Sequence, residues 1–263
     1  FGWQSTSFNA AQCASCSNPF SNKPVFTGTV DTNAGGVLDV STSANGANLG
    51  GVISAGGTHY LQLTSGPREG ERFDIASAGV NTMTLVNDPG LFAALDGVKS
   101  LNTSEGVPAS GELDGARFQV LPHRTMNQMF DKAGAFAGLA SSNPSTAAKV
   151  LLYNNRLETP AFETYLLVDT GSEVKWVRSN DLGALNNQGS RRIDRTDGAY
   201  IHPMLGGLSW CAVGMVADHD LAMAFNTGHN LAGAPYPIDQ ALADADPGPG
   251  IAGRNMRVAT GFV

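Results

Sequence analysis

Three cysteines, five histidines and a few closely spaced aspartates are the residues of this chain whose chemistry could reach beyond holding a fold. Cys13 and Cys16 form a C-x-x-C, and Cys211 follows Trp210 far downstream. A redox C-x-x-C sits at a helix start, where the thiolate is stabilised. This one lies in Gln-Cys-Ala-Ser-Cys-Ser-Asn-Pro, a turn-rich stretch with no helix signal. Zinc would require a second ligand pair at matching spacing, and the sequence offers none. A structural disulfide is the reading that remains, either within Cys13 and Cys16 or from one of them to Cys211. Loop entropy favours the long bridge, at about 5 kcal/mol against about 2 kcal/mol for the small ring.

His59, His123, His202, His219 and His229 are the candidates for proton transfer. None falls in a nucleophile, zinc-hydrolase or phosphate-loop motif. Asp218-His219-Asp220 offers oxygen and nitrogen, but neighbouring strand residues face opposite ways, so only the two aspartates could converge. A polar turn is expected there. Asp239, Asp244 and Asp246 could give carboxylates to calcium on a loop, although the calcium-hand spacing is missing. The expectation is therefore no catalytic residue and no cofactor, with calcium the one ion for which oxygen ligands are at hand. Trp3, Trp176, Trp210, Tyr60, Tyr153, Tyr165 and Tyr200 could stack on sugars, yet strand aromatics more often fill cores or pair across strands. The basic run Arg191-Arg192-Ile193-Asp194-Arg195, with Asp197 beyond, reads as a solvated loop.

Such residues are positioned by elements, and the composition says which kind. Charged residues make up 15% of the chain, against about 25% in an average soluble domain. Glycine is abundant, with 32 residues, and Ser, Thr and Asn recur throughout. A polar but weakly charged surface lowers one barrier to contact between copies. The net charge of −7 disfavours nucleic acid, which needs clustered Lys and Arg. No apolar run approaches the roughly 18 residues of a membrane helix. The opening Phe1-Gly2-Trp3 reads as a chain from which an export signal has been removed.

Period-two alternation marks strands at 59–64, 71–75 and 116–121, and runs at 25–30, 37–40 and 82–86 read as further strands, with Gly and Pro between them. Leu91 to Leu95 reads as one helical turn, and Thr125 caps a short helix over 126–130. Gly134 to Thr146 reads as a linker or loop. Further strands are expected at 149–153, 164–168, 174–177, 198–203 and 208–213, the first two flanking a turn that contains Pro160. The fold class is all-β with minor short helices, in two small antiparallel domains: barrel-like over 25–140 and sandwich-like over 141–263. Residues 1–24 read as an extended segment, with Phe1, Trp3, Phe8 and Phe20 as its assembly contacts across domains or subunits. An echo between Ser7-Phe8-Asn9…Pro19-Phe20 and Ala224-Phe225-Asn226…Pro235-Tyr236 would bring this segment to the second domain.

Four strings bear a further likeness: Ser17-Asn18-Pro19-Phe20 with 24–30, His59 to Ile75, Phe118 to Thr125, and Asn230 to Pro237. They occur in this order, His59 to Ile75 being the most specific, and the likeness runs along nearly the whole chain. On them the chain resembles an uncharacterised, often paralogous family of exported β-rich proteins found mainly in verrucomicrobial genomes. It departs from that family by carrying a C-x-x-C before its first Pro-Phe. The resemblance implies export by a cleaved signal and a β-rich fold, and it implies no activity. The expected function is a secreted, non-enzymatic structural protein that assembles with copies of itself into an extracellular fibre, tube, appendage or surface layer. The alternative is an extracellular carbohydrate- or protein-binding module.

Overall fold

The computed structural model describes residues 2–17, 19–46, 48–53, 57–86, 108–154, 161–194, 197–218 and 221. The chain opens with strands β1 (Gly2–Phe8) and β2 (Ala14–Ser17). Next come β3 (Phe26–Thr29), β4 (Thr32–Ala34), β5 (Val37–Asp39) and two one-turn helices, α1 (Ser41–Ala44) and α2 (Leu49–Val52). The strands β6 (His59–Leu63), β7 (Arg72–Ala78), β8 (Thr82–Leu85) and β9 (Arg117–Pro122) follow. A short strand β10 (Arg124–Thr125) leads into helix α3 (Met126–Met129). The rest is β11 (Lys149–Asn154), β12 (Ala161–Asp169), β13 (Val174–Arg178), β14 (Arg192–Ile193), β15 (Gly198–His202) and β16 (Leu208–Gly214). Strands dominate, as the alternation predicts, and every helix among the described residues is short. The expected turn at Leu91 to Leu95 lies outside the described residues.

Seven strands form one antiparallel sheet in the order β3-β9-β6-β7-β8-β5-β4. Its two edge strands are separated in the chain only by Val30 and Asp31, so the sheet has to curl back on itself. The bend is hydrogen-bonded on both sides. Val30 N–H donates to the Ala116 carbonyl at 2.9 Å, and Asp31 N–H donates to that of Asp39 at 2.8 Å. Alternation supplies the contents: Leu61, Leu63, Phe73, Ile75, Phe118 and Val120 all point into one core. Asn33 pins the returning segment, donating to the Ala109 carbonyl at 2.7 Å and accepting from Leu113 N–H at 2.8 Å.

The second sheet has the order β13-β12-β11-β15-β2, and β1 pairs with β16 in a separate two-stranded ribbon. The N-terminal segment is thus two strands, both paired to the C-terminal half of the described chain. Phe8, Cys16 and Phe20 lie buried in the same core as Trp176, Trp210 and Tyr165. At its centre Phe130 meets Trp176 edge-on at 6.2 Å and Trp210 in a stacked arrangement at 6.4 Å. Both indoles end the helix before them: Trp176 Nε1 donates to the Phe130 carbonyl at 3.0 Å and Trp210 Nε1 to that of Met129 at 2.7 Å. These bonds satisfy carbonyls that a helix end leaves open. At the other end Thr125 caps α3 as expected, and Gln128 reaches back to complete the capping box.

Two features depart from the expected organisation. The change from one core to the other falls between Val120 and Met126, not near residue 140. Gly134 to Thr146 is no linker either. Phe136 and Leu139 from that stretch are buried in the second core, and Ser141 bridges to Val168. Its small-residue composition hid two core side chains and a main-chain pairing. Among the described residues, no helix is long and apolar enough to cross a membrane.

Candidate functional site

The outward faces of β6, β7 and β9 carry the polar half of the alternation: Tyr60 and Gln62, Arg72 and Asp74, Gln119 and Leu121. Register aligns them in two rows, Asp74–Tyr60–Leu121 and Arg72–Gln62–Gln119. Such a face normally meets water. Here Tyr60, Gln62, Arg72, Asp74 and Leu121 are all buried: Arg72 and Asp74 meet Asp194 and Arg192 at β14, and Gln62 and Leu121 lie beside Ser21 and Met215.

Contact is made by two matching triplets, Arg72-Phe73-Asp74 and Arg192-Ile193-Asp194. Each places its apolar residue in its own core, Phe73 in the first and Ile193 in the second. Each turns its two charges toward the other. Arg72 Nη1 donates to Asp194 Oδ1, and Arg192 Nη1 donates to Asp74 Oδ2 at 3.2 Å. Asp74 Oδ1 also takes His123 Nε2 at 2.7 Å, and the His123 ring lies 4.8 Å from that of Tyr60. Asp74 is 0% exposed. Two cations thus balance two anions in a seam without bulk water, where an unpaired charge is expensive. A His–Asp pair can orient an imidazole for catalysis, but this one is enclosed by Tyr60 and Arg192.

The basic run is accordingly not a solvated loop: Arg191, Arg192 and Asp194 are buried. Arg191 faces the other way from Arg192. It donates to Glu163 Oε2 at 2.8 Å and to the Tyr165 hydroxyl, while Arg178 takes Glu163 Oε1 at 2.7 Å. Burial raises the Tyr165 pKa above its ordinary value. Arg195 lies outside the described residues.

The β1–β16 ribbon pairs Gly2 to Phe8 with Gly214 to Leu208 in unbroken register. Neither strand holds a charged residue. Its inner face carries Phe8, Leu208, Trp210 and Ala212. Its outer face presents three pairs: Trp3–Val213, Ser5–Cys211 and Ser7–Ser209. Trp3 is 70% and Val213 45% exposed. On the far side of β16 the Val213 carbonyl accepts from Arg124 Nη2. Among the described residues, β1 has no strand on its other side.

The residues singled out by sequence fall in different places. Of the assembly contacts Trp3, Phe8 and Phe20, only Trp3 is on the surface; Phe8 and Phe20 are core, and Phe1 lies outside the described residues. Cys13, Cys16 and Cys211 are free thiols, with Cys16 turned into the core and Cys211 outward on the ribbon. Burial pushes the Cys16 thiol far up. His59 is buried, its Nδ1 sharing a 2.8 Å hydrogen bond with Thr58 Oγ1, and His202 sits opposite Lys149 on β11. Trp176, Trp210, Tyr165 and Tyr60 are interior. Tyr153 and Tyr200 flank Phe162, an exposed aromatic not singled out by sequence, with ring separations of 5.0 and 5.7 Å. His219, His229, Asp220, Asp239, Asp244, Asp246 and the second half of the Phe-Asn echo lie outside the described residues. No group of metal-ligating side chains is found among the described residues. A depression of about 70 Å³ beside Ser21, Gln62 and Gln119 is far below the roughly 300–1,000 Å³ of small-molecule sites. The chain matches no family model, no curated protein and no solved structure.

Proposed function

We propose that this chain is a secreted structural protein, a subunit that assembles with copies of itself into an extracellular fibre, tube, appendage or surface layer. One observation carries the reading: a seven-residue ribbon strand, free of charge, with an outward tryptophan and an edge that is open among the described residues. Proteins that stay monomeric blunt such edges with Lys, Pro, bulges or shortness. Here the sheet edge at β13 carries Lys175 and Arg178, whereas β1 carries none of these devices. Low overall charge and the resemblance to exported β-rich proteins support the same reading. Electron microscopy of native material, with sedimentation over a range of concentrations, tests it. Regular particles or polymers are expected, and a monomer at every concentration would overturn it.

A second reading, binding of carbohydrate at the outer face of β12, β11 and β15, is favoured by Phe162, which is 47% exposed between Tyr153 and Tyr200. A glycan array with saturable hits lost in Phe162→Ala would raise it above the first.

A further inference from the structure

We infer that the partner of β1 is β1 of a second copy, paired antiparallel about a two-fold axis through Ser5. This rests on the assembly reading and specifies the contact.

An open edge offers main-chain donors and acceptors at alternate residues, and another edge satisfies them best. In an antiparallel pair of identical strands, facing residues have numbers of constant sum. That sum must be even, because an odd sum sets a residue whose main-chain groups point into the junction against one whose groups point away. For a strand running from Gly2 to Phe8, centring on Gln4 or Thr6 leaves the ends unpaired. Centring on Ser5 pairs the whole strand: Gly2 with Phe8′, Trp3 with Ser7′, Gln4 with Thr6′ and Ser5 with Ser5′. The result is a continuous ribbon in the order β16–β1–β1′–β16′.

Side chains agree with this register. Trp3, Ser5 and Ser7 share the outer face, so each exposed indole lies over a small Ser7′. No charge on either strand opposes the approach, although the whole chain carries −7. The other edge of β16 is a poorer partner, since Arg124 already occupies its Val213 carbonyl and Ser21 bridges to Met215 just beyond the strand. A two-fold contact of this kind closes after two copies, so a polymer would need a second surface elsewhere on the molecule.

The test is cross-linking under mild oxidation in a Cys13→Ser, Cys211→Ser background. Facing residues of an antiparallel pair lie about 4.5–5.5 Å apart at Cα, inside the disulfide range. Ser5→Cys is therefore expected to give a covalent dimer, and Ser7→Cys, equally exposed but facing Trp3′, is expected not to. Ser5→Lys sets like charges face to face and should weaken association about tenfold or more. Its side chain points to solvent, so its melting curve should match the parent's; if it does not, Trp3→Ser is measured in its place. If self-association persists in sedimentation while Ser5→Cys fails to cross-link, the two-fold register is overturned and the assembly reading stands. A strictly monomeric protein with no cross-link overturns both.

Discussion

Arg72 and Asp194 stand 122 positions apart and are bound to each other inside the protein, where the pairing of Asp74 with Arg192 mirrors theirs. The seam is held by one motif, Arg-apolar-Asp, used twice and read in opposite directions. Its charges neutralise one another, so removal of one takes a buried ion pair from its partner. Asp74→Asn deprives both Arg192 and His123 of their anion. It should lower stability by about 3–5 kcal/mol, seen as a lower urea midpoint with an unchanged slope. Glu71→Gln, which breaks a half-buried pair with Arg68 and leaves that guanidinium its second carboxylate, Glu112, should cost less than about 1 kcal/mol. Equal effects from the two changes would mean that the seam charges are solvated after all.

That relationship also marks where sequence reading stops. His59 to Leu63 and Arg72 to Ile75 are legible as strands because Leu61, Leu63, Phe73 and Ile75 alternate with polar residues. Alternation identifies the core face and leaves open what covers the other. Tyr60, Gln62, Arg72 and Asp74 look like a solvent face, and Arg191 to Asp194 like a solvated loop, because Arg72 and Arg192 find their carboxylates more than a hundred positions away and Arg191 finds Glu163 on another strand. Two Arg-apolar-Asp triplets in so weakly charged a chain were the available signal. Gly2 to Phe8 hid for a different reason: its inward partners are on β16, so its own alternation of Ser, Thr and Gln is too weak to mark a strand. Thr125 and Gln128 were readable because a capping box is local.

Burial depresses the His59 pKa below its ordinary value, and the neighbouring His123 adds to the effect. The unfolded chain then binds the extra proton first, so stability rises with pH across that window. The contribution is whole above the unfolded value of about 6.5 and declines as pH falls toward the lower folded value. The urea midpoint should therefore drop between pH 7.5 and pH 5.5, and His59→Gln should flatten that slope. A slope unchanged in His59→Gln would assign the titration to another group.

The thiols should separate by accessibility. Cys13 and Cys211 are exposed, whereas Cys16 is buried in the second core with its pKa raised. Since only the thiolate reacts at a useful rate, native protein should label at Cys13 and Cys211, with the reaction at Cys13 slowed because partial burial raises its pKa too. Cys16 should label only at the rate of unfolding, and with urea all three should react. Peptide mapping of the labelled sites reads this directly. Protection of Cys13 and Cys211 that is lifted by a reductant would instead reveal a bridge between them.

Gly2 and Gly214 face each other at the end of the ribbon, and both lie against the Phe20–Ser21 segment. A Cβ on Gly214 would stand 2.5 Å from the Ser21 carbonyl and 2.9 Å from Phe20 Cβ. One on Gly2 would meet the Phe20 ring at 2.7 Å and a Val216 methyl at 2.8 Å. The difference lies in what can yield. Backbone at Ser21 is fixed by its paired bonds with Met215 at 3.1 and 3.0 Å, whereas a ring edge and a methyl can turn aside. Gly214→Ala should therefore cost about 1–3 kcal/mol and Gly2→Ala less, since overpacking against a rigid neighbour cannot relax. Hydrogen exchange should show the loss first in β1 and β16, because the ribbon end must lift while the five-stranded sheet stays closed. Uniformly faster exchange across both sheets would mean that the ribbon and the sheets unfold as one unit, and that the glycine pair is not what sets its docking.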